Sequence, residues 1–130
     1  MTHTRTFELN KLVRDGIVAG HEEIGGSVFY SVLRDRELDR ALKDKVLEEG
    51  TELRPGDASK EELADLLEVI YGIADRAGIT KAELDTEQEE KRRRIGGFTA
   101  GHFVHTVTVP ADSDLAQYYG ADPTRFPELG

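Results

Sequence analysis

Hydrophobic residues along this chain recur mostly at helical spacing. At about 100° per residue, Leu38, Leu42, Val46 and Leu53 share one side of a helix running from residue 35 to about 54. Asp35 is the expected N-cap, and Pro55-Gly56-Asp57 ends the run. Ser59 followed by Glu62 has the form of a capping box. It opens a helix to about residue 77, with a broad apolar face of Leu63, Leu66, Leu67, Ile70, Ile73, Ala74 and Ala77 and with Gly78 as C-cap. Thr80 and Glu83 repeat the box for a helix to about residue 94, stopped by Gly96-Gly97. Residues 10–23, with Leu12, Val13, Ile17 and Val18 apolar, predict a short helix that Gly16 and Gly20 weaken by about 1 kcal/mol each. Residues 27–33 and 103–109 are β-branched and aromatic, so they are strand-like and could pair as a small sheet. From Pro110 the chain reads as an irregular tail. The expectation is an all-α protein, a bundle of about four helices in residues 1–109, followed by a tail at 110–130.

One residue interrupts the apolar stripe of the second helix. Glu49 points along its middle, with Glu52 roughly 60° and Glu48 roughly 100° away. A carboxylate in a core-facing stripe is costly unless something pairs with it. On the next helix Glu62 and Asp65 share a stripe that also carries Val69, an apolar residue that hints at cover from another helix or subunit. The break between the helices is short enough for an antiparallel hairpin. In such a hairpin Glu49 and Asp65 both lie roughly 8–9 Å from the closed end, at about 1.5 Å per residue. Glu49, Glu52, Glu62 and Asp65 can then converge, and an all-oxygen ligand set suits Mg²⁺ or Mn²⁺. The plainer alternatives are that Glu62 only completes the cap of Ser59, and that Glu48 and Glu52 form a solvated face.

Charge narrows the function classes. The chain carries 17 Lys+Arg and 26 Asp+Glu, which argues against a grip on nucleic acid. The acidity is concentrated in residues 35–90, with 18 acids and eight bases. There is no cysteine, so disulfides, thiolate metal sites and cysteine nucleophiles are excluded. No apolar run approaches the roughly 18 residues of a membrane span. Residues 1–10 lack the apolar core of a secretory signal, so a cytoplasmic protein is expected.

The segment Glu48-Glu49-Gly50-Thr51-Glu52, followed by Glu62-Leu63-Ala64-Asp65, resembles the E-E-x-x-E … E-x-x-D signature of the all-α NTP pyrophosphatase superfamily. That group includes the MazG-like and phosphoribosyl-ATP pyrophosphohydrolase-like proteins. Residues 10–15 (Asn-Lys-Leu-Val-Arg-Asp) are similar to the opening of small MazG-like proteins, and residues 91–98 to their basic run ending in Gly-Gly-Phe. Gly16, Gly50, Ile95 and the short spacing from Glu52 to Glu62 depart from the pattern. The resemblance implies a helical fold completed as a homodimer or homotetramer. It also implies Mg²⁺-dependent hydrolysis of a nucleoside triphosphate to monophosphate and pyrophosphate, a house-cleaning activity on non-standard nucleotides being one form of it. The implied metal ligands are Glu49, Glu52, Glu62 and Asp65, with Glu48 beside them either supporting a ligand or activating the water, so that Glu48 and Glu49 are the catalytic candidates.

Such a reaction needs cations to hold the pyrophosphate, because the acidic block would repel a free triphosphate. Lys11 and Arg14 at the front, and Lys91 and Arg94 at the end of the last helix, are the candidates. Phosphoribosyl-ATP hydrolysis shares the same residues and is not separated from this reading. A non-catalytic helical module, favoured by Gly50 and Ile95, would bind nucleotide, metal or a partner without releasing pyrophosphate.

Overall fold

A computed structural model describes residues 3–130 and is helical throughout its regular parts. Five helices follow one another: α1 (Ile17–Glu23), α2 (Asp35–Leu53), α3 (Lys60–Arg76), α4 (Lys81–Ile95) and α5 (Asp114–Gly120). Contacts divide the chain into two units, Met1–Arg94 and Ile95–Gly130.

The helix starts written most clearly in the sequence form as expected. Ser59 Oγ accepts from the Glu62 N–H at 3.1 Å and donates to Glu62 Oε1 at 2.9 Å, a closed capping box on α3. Thr80 and Glu83 make the same pair of bonds on α4, at 3.1 Å each. Gly78, at φ +74°, takes the left-handed turn that releases the chain from α3, a conformation a Cβ would penalise. The start of α2 differs from expectation. Arg34 is its N-cap, without a side-chain bond, and Asp35 already lies inside the helix at φ 52°. Gly50 does not interrupt α2, since the Arg54 N–H reaches the Gly50 carbonyl at 3.2 Å.

Three expectations are corrected. The helix expected over residues 10–23 is only Ile17–Glu23, because Asn10 sits at φ 47° and glycine at the N-cap, Gly16, provides no side-chain bond. The chain before it is irregular, with a bend at Lys11 and a turn at Asp15 and Gly16. Residues 27–33 and 103–109 form no strand: β-branched character alone does not make a sheet, and no ladder partner lies beside either segment among the described residues. The tail expected from Pro110 contains α5, capped by Ser113, whose Oγ accepts from the Ala116 N–H at 3.2 Å. Tyr118 and Tyr119 on it cluster with Phe126 just after it, with ring centroids 5.0–5.7 Å apart, two of the three pairs edge-on and the Tyr118–Phe126 pair tilted.

The first unit is built on an antiparallel hairpin of α2 and α3, the helix pair that packs together among the described residues. Leu42 approaches α3 where Gly72 stands, so that a Cβ on Gly72 would lie 3.4 Å from Leu42 Cδ2. Val69, buried, belongs to the same stripe as Glu62, Asp65 and Gly72. The cover that Val69 called for is therefore α2 itself. Turning that stripe inward covers one side of the broad apolar face of α3, with Ala74 buried and Leu66 and Ile73 half-buried, and leaves its other side open. Leu63, Leu67 and Ile70 are 49%, 45% and 37% exposed, and Leu47 on α2 is 72% exposed. At the open end of the hairpin Arg76 Nε donates to Asp39 Oδ1 at 2.8 Å, and this bond holds the Asp39 carboxyl below its ordinary range.

Candidate functional site

The α2–α3 seam carries an acidic cluster near its closed end. Glu49 stands in the apolar stripe of α2 and is buried to 8% exposure, as deep as Val69. Burial pushes its carboxyl above the usual glutamate range. The neighbouring Glu52 carboxylate and, across the seam, Asp65 push it the same way, and Lys45 opposes them. The hairpin thus brings Glu52 and Asp65 near enough to Glu49 for their charges to act on it, without gathering the three as a metal cage. The fourth expected ligand, Glu62, lies half-buried one turn before Asp65 with Oε1 turned to Ser59, so its capping role is the one seen.

Cations neutralise this cluster from two directions. Lys45, one turn before Glu49 on α2, has a side chain 15% exposed and bridges Glu48 Oε1 at 3.1 Å and Glu49 Oε1 at 3.6 Å. The irregular segment before α1 supplies the other two: Lys11 Nζ lies 3.2 Å from Glu48 Oε1, and Arg14 donates to Asp65 Oδ1 at 2.7 Å. Leu12 and Val13, between those two cations, are half-buried, so an apolar pair seats the segment.

Adjacent carboxylates therefore meet opposite environments. Burial raises Glu48 too, but hydrogen bonds from Lys45 and Lys11, and their charge, outweigh it and hold Glu48 below the ordinary range. The lysines favour the charged form of Glu48, whereas burial and the neighbouring acids disfavour that of Glu49. Neighbouring carboxyls pushed apart in this way are a recurrent arrangement for acid–base chemistry.

The donor set is hard oxygen throughout, which suits Mg²⁺ or Mn²⁺. Among the described residues no three His, Asp or Glu side chains are gathered at the spacing of a metal cage. Glu48, Asp65 and Glu62 are instead each engaged by a lysine, arginine or serine. The remaining phosphate candidates stand apart. Lys91 and Arg94 are exposed at the end of α4, a helix that packs on neither α2 nor α3.

Lys45 is the residue that sequence reasoning missed. Its signal was available: it lies three and four residues before Glu48 and Glu49, the spacing of helix ion pairs. We expect Lys45→Met to lower stability at neutral pH by about 1 kcal/mol. Because its partner Glu48 has a lowered carboxyl pKa in the folded chain, the stabilisation is present above the ordinary carboxylate range and lost as pH falls through it. Thermal melts of wild type and variant should accordingly converge as pH falls from 7 towards 3.

No protein-family model matches the chain, and no curated protein or solved structure is found similar to it. Among the described residues no helix is long and apolar enough to cross a membrane.

Proposed function

We propose that this protein is a metal-dependent pyrophosphohydrolase acting on a nucleoside triphosphate, or a closely related phosphorylated nucleotide, to give the monophosphate and pyrophosphate. The observation that carries the reading is the buried Glu49, placed beside Glu52 and opposite Asp65, with an ionised Glu48 as its neighbour. The signature motifs in the sequence support the same reaction.

In this reading Glu49, Glu52 and Asp65 hold Mg²⁺ or Mn²⁺, with Glu62 as fourth candidate. The metal would neutralise charge on the phosphate oxygens during attack. Glu48 is the group proposed to accept the proton of the attacking water; Lys45 positions it, and the lysine contacts that keep it charged also make it a weak base. The water oxygen bonds to the α-phosphorus, the bond from that phosphorus to the α,β-bridging oxygen breaks, and its electron pair leaves with the pyrophosphate. Arg14 and Lys11 are candidates to receive that leaving group, and Lys91 and Arg94 remain candidates from α4. The exposed leucines and isoleucine of α3 support assembly as a homo-oligomer, in which a second copy covers that face.

The test is pyrophosphate release from a panel of ribo-, deoxyribo- and modified nucleoside triphosphates, together with phosphoribosyl-ATP, with and without Mg²⁺ or Mn²⁺. Metal-dependent release with stoichiometric monophosphate is the expected result. Silence across the panel from folded protein that takes up Mn²⁺ would reject the activity in favour of a binding module.

A further inference from the structure

We infer that α4 is a self-complementary contact: two copies of the chain lay their α4 helices side by side and antiparallel, each acidic half against the basic half of the other. The inference stands apart from the proposed reaction. It adds a second, charged contact to the self-assembly proposed through α3.

The charges of α4 are segregated along its length. Glu83, Asp85, Glu87, Glu89 and Glu90 come first, and Lys91, Arg92, Arg93 and Arg94 follow. Within the helix, Glu87 with Lys91 and Glu90 with Arg94 have the four-residue spacing of helix ion pairs. Neither pair closes. The ion pairs among the described residues lie in α2, α3 and the segment before α1. Every residue of α4 is exposed except Leu84, which is half-buried. The helix packs on neither α2 nor α3, and it is tied at its first residue, where the Lys81 ammonium lies 5.0 Å from the centre of the Tyr71 ring. A helix of opposed charges, unpaired within its own chain and free along its length, is a surface suited to a partner of the reversed charge order. A second copy laid antiparallel has that order.

The angular positions make the match specific. At about 100° per residue, Leu84, Gln88, Lys91 and Ile95, the last residue of α4, fall within a sector of about 60°. Asp85 and Arg92 flank that stripe on one side, Glu87 and Arg94 on the other. An antiparallel pair centred between Glu89 and Glu90 sets Leu84 level with the partner's Ile95, and Gln88 level with the partner's Lys91. Asp85 then meets the partner's Arg92, and Glu87 the partner's Arg94, each within about 3 Å of level at 1.5 Å per residue, an offset a long arginine spans. Two-fold symmetry repeats every pair. A parallel arrangement would instead set Lys91 against Lys91 and bring the two basic ends together, so the charge order specifies direction. Exposed ion pairs are individually weak, and Leu84 and Ile95 are the apolar residues of the stripe. The contact therefore directs and supplements association through α3 without replacing it. Lys91 and Arg94 then serve the interface, which leaves Lys11 and Arg14 as the phosphate candidates.

Two double variants of the full-length chain test the pairing. Arg92→Glu with Arg94→Glu, and Asp85→Arg with Glu87→Arg, should each self-associate at least roughly tenfold more weakly than wild type, because four attractions per dimer become four repulsions. Their equimolar mixture should associate again, since every flanking pair is once more of opposite charge. Sedimentation velocity at low ionic strength, where exposed charges act most strongly, reads both results. Direction is read without altering the pairing residues. The chain has no cysteine, so a nitroxide can be placed singly on Ala82→Cys or Glu89→Cys, both at the back of the stripe. In the antiparallel pair, dipolar spectroscopy should find the labels at 82 about 10 Å farther apart than those at 89. Undiminished association of both double variants would overturn the α4 contact and leave α3 as the interface. A mixture that stays dissociated, equal label separations at the two positions, or no dipolar coupling at either, would overturn the antiparallel pairing. Pyrophosphate release is a separate readout, so failure of the pairing leaves the proposed reaction standing.

Discussion

Glu49→Gln should abolish metal-dependent pyrophosphate release while making the metal-free protein more stable. The loss of turnover should be at least roughly a hundredfold, since even removing a group that merely supports a metal ligand costs about 10–100-fold. The gain in stability follows from the sign of the pKa shift. The folded chain raises the Glu49 carboxyl, through burial first and the Glu52 and Asp65 charges after it. It therefore binds the proton more tightly than the unfolded chain does. The stability contributed by Glu49 is complete below the ordinary glutamate range and is lost as pH rises through the folded value. At neutral pH the ionised group strains the seam. Its neutral amide removes the repulsion with Glu52, worth about 0.5 kcal/mol for like charges one helical turn apart. Metal-free melts at pH 7 should show the variant above wild type, with the gap closing under acid. Addition of Mn²⁺ should reverse the order, because wild type alone keeps the full ligand set. A variant that turned over normally, or melted below wild type at pH 7 without metal, would remove Glu49 from the centre of the site.

The second large effect should come from a residue remote from the carboxylates. Leu67→Glu should convert a homo-oligomer into a monomer. Turning Val69 and Asp65 towards α2 leaves Leu63, Leu67 and Ile70 facing outward, and fully burying one leucine is worth about 1.5–3 kcal/mol. In a symmetric dimer each substitution is counted twice, so the association constant should fall by at least roughly a hundredfold. Sedimentation velocity across a concentration series reads this directly. If wild type sediments as a monomer at every concentration, the outward face of α3 has some other partner and self-assembly is rejected.

These two predictions show what the sequence made legible and where it stopped. The all-helical class and the limits of α3 and α4 could be read because each start is a closed capping box, a purely local bond pattern. α5 escaped because Ser113 has no Glu or Gln three residues on, so only half of that pattern is present. The strand reading of residues 27–33 and 103–109 failed for the opposite reason. Strand formation is decided by a neighbour, and a β-branched run does not carry one with it.

The site divides along the same line. Glu49 was conspicuous because helical periodicity placed it in an apolar stripe. Its approach to Asp65 followed from the short turn at Pro55, since an antiparallel hairpin fixes which residues lie level. What periodicity could not supply was which face of α3 meets α2. The broad apolar face was the natural choice, yet only its Leu66, Ile73 and Ala74 side is covered, together with the narrower stripe of Val69 and Gly72, and Leu63, Leu67 and Ile70 stay outside. The long-range pairs from Lys11 and Arg14 lay equally beyond reach, because they depend on the path of a segment with no regular structure.

Gly72 gives the hairpin a fulcrum. A methyl there would meet Leu42 Cδ2 at 3.4 Å, about van der Waals contact with the tip of one side chain, so alanine fits and only a larger residue would wedge the helices apart. Asp65 lies two turns along the same stripe, and a wedge at Gly72 would be transmitted along a stiff rod to the carboxylates. The spacing of the acidic cluster is in this way geared to a glycine that touches none of its members, and a graded series of side chains at that position would act as a dial for it.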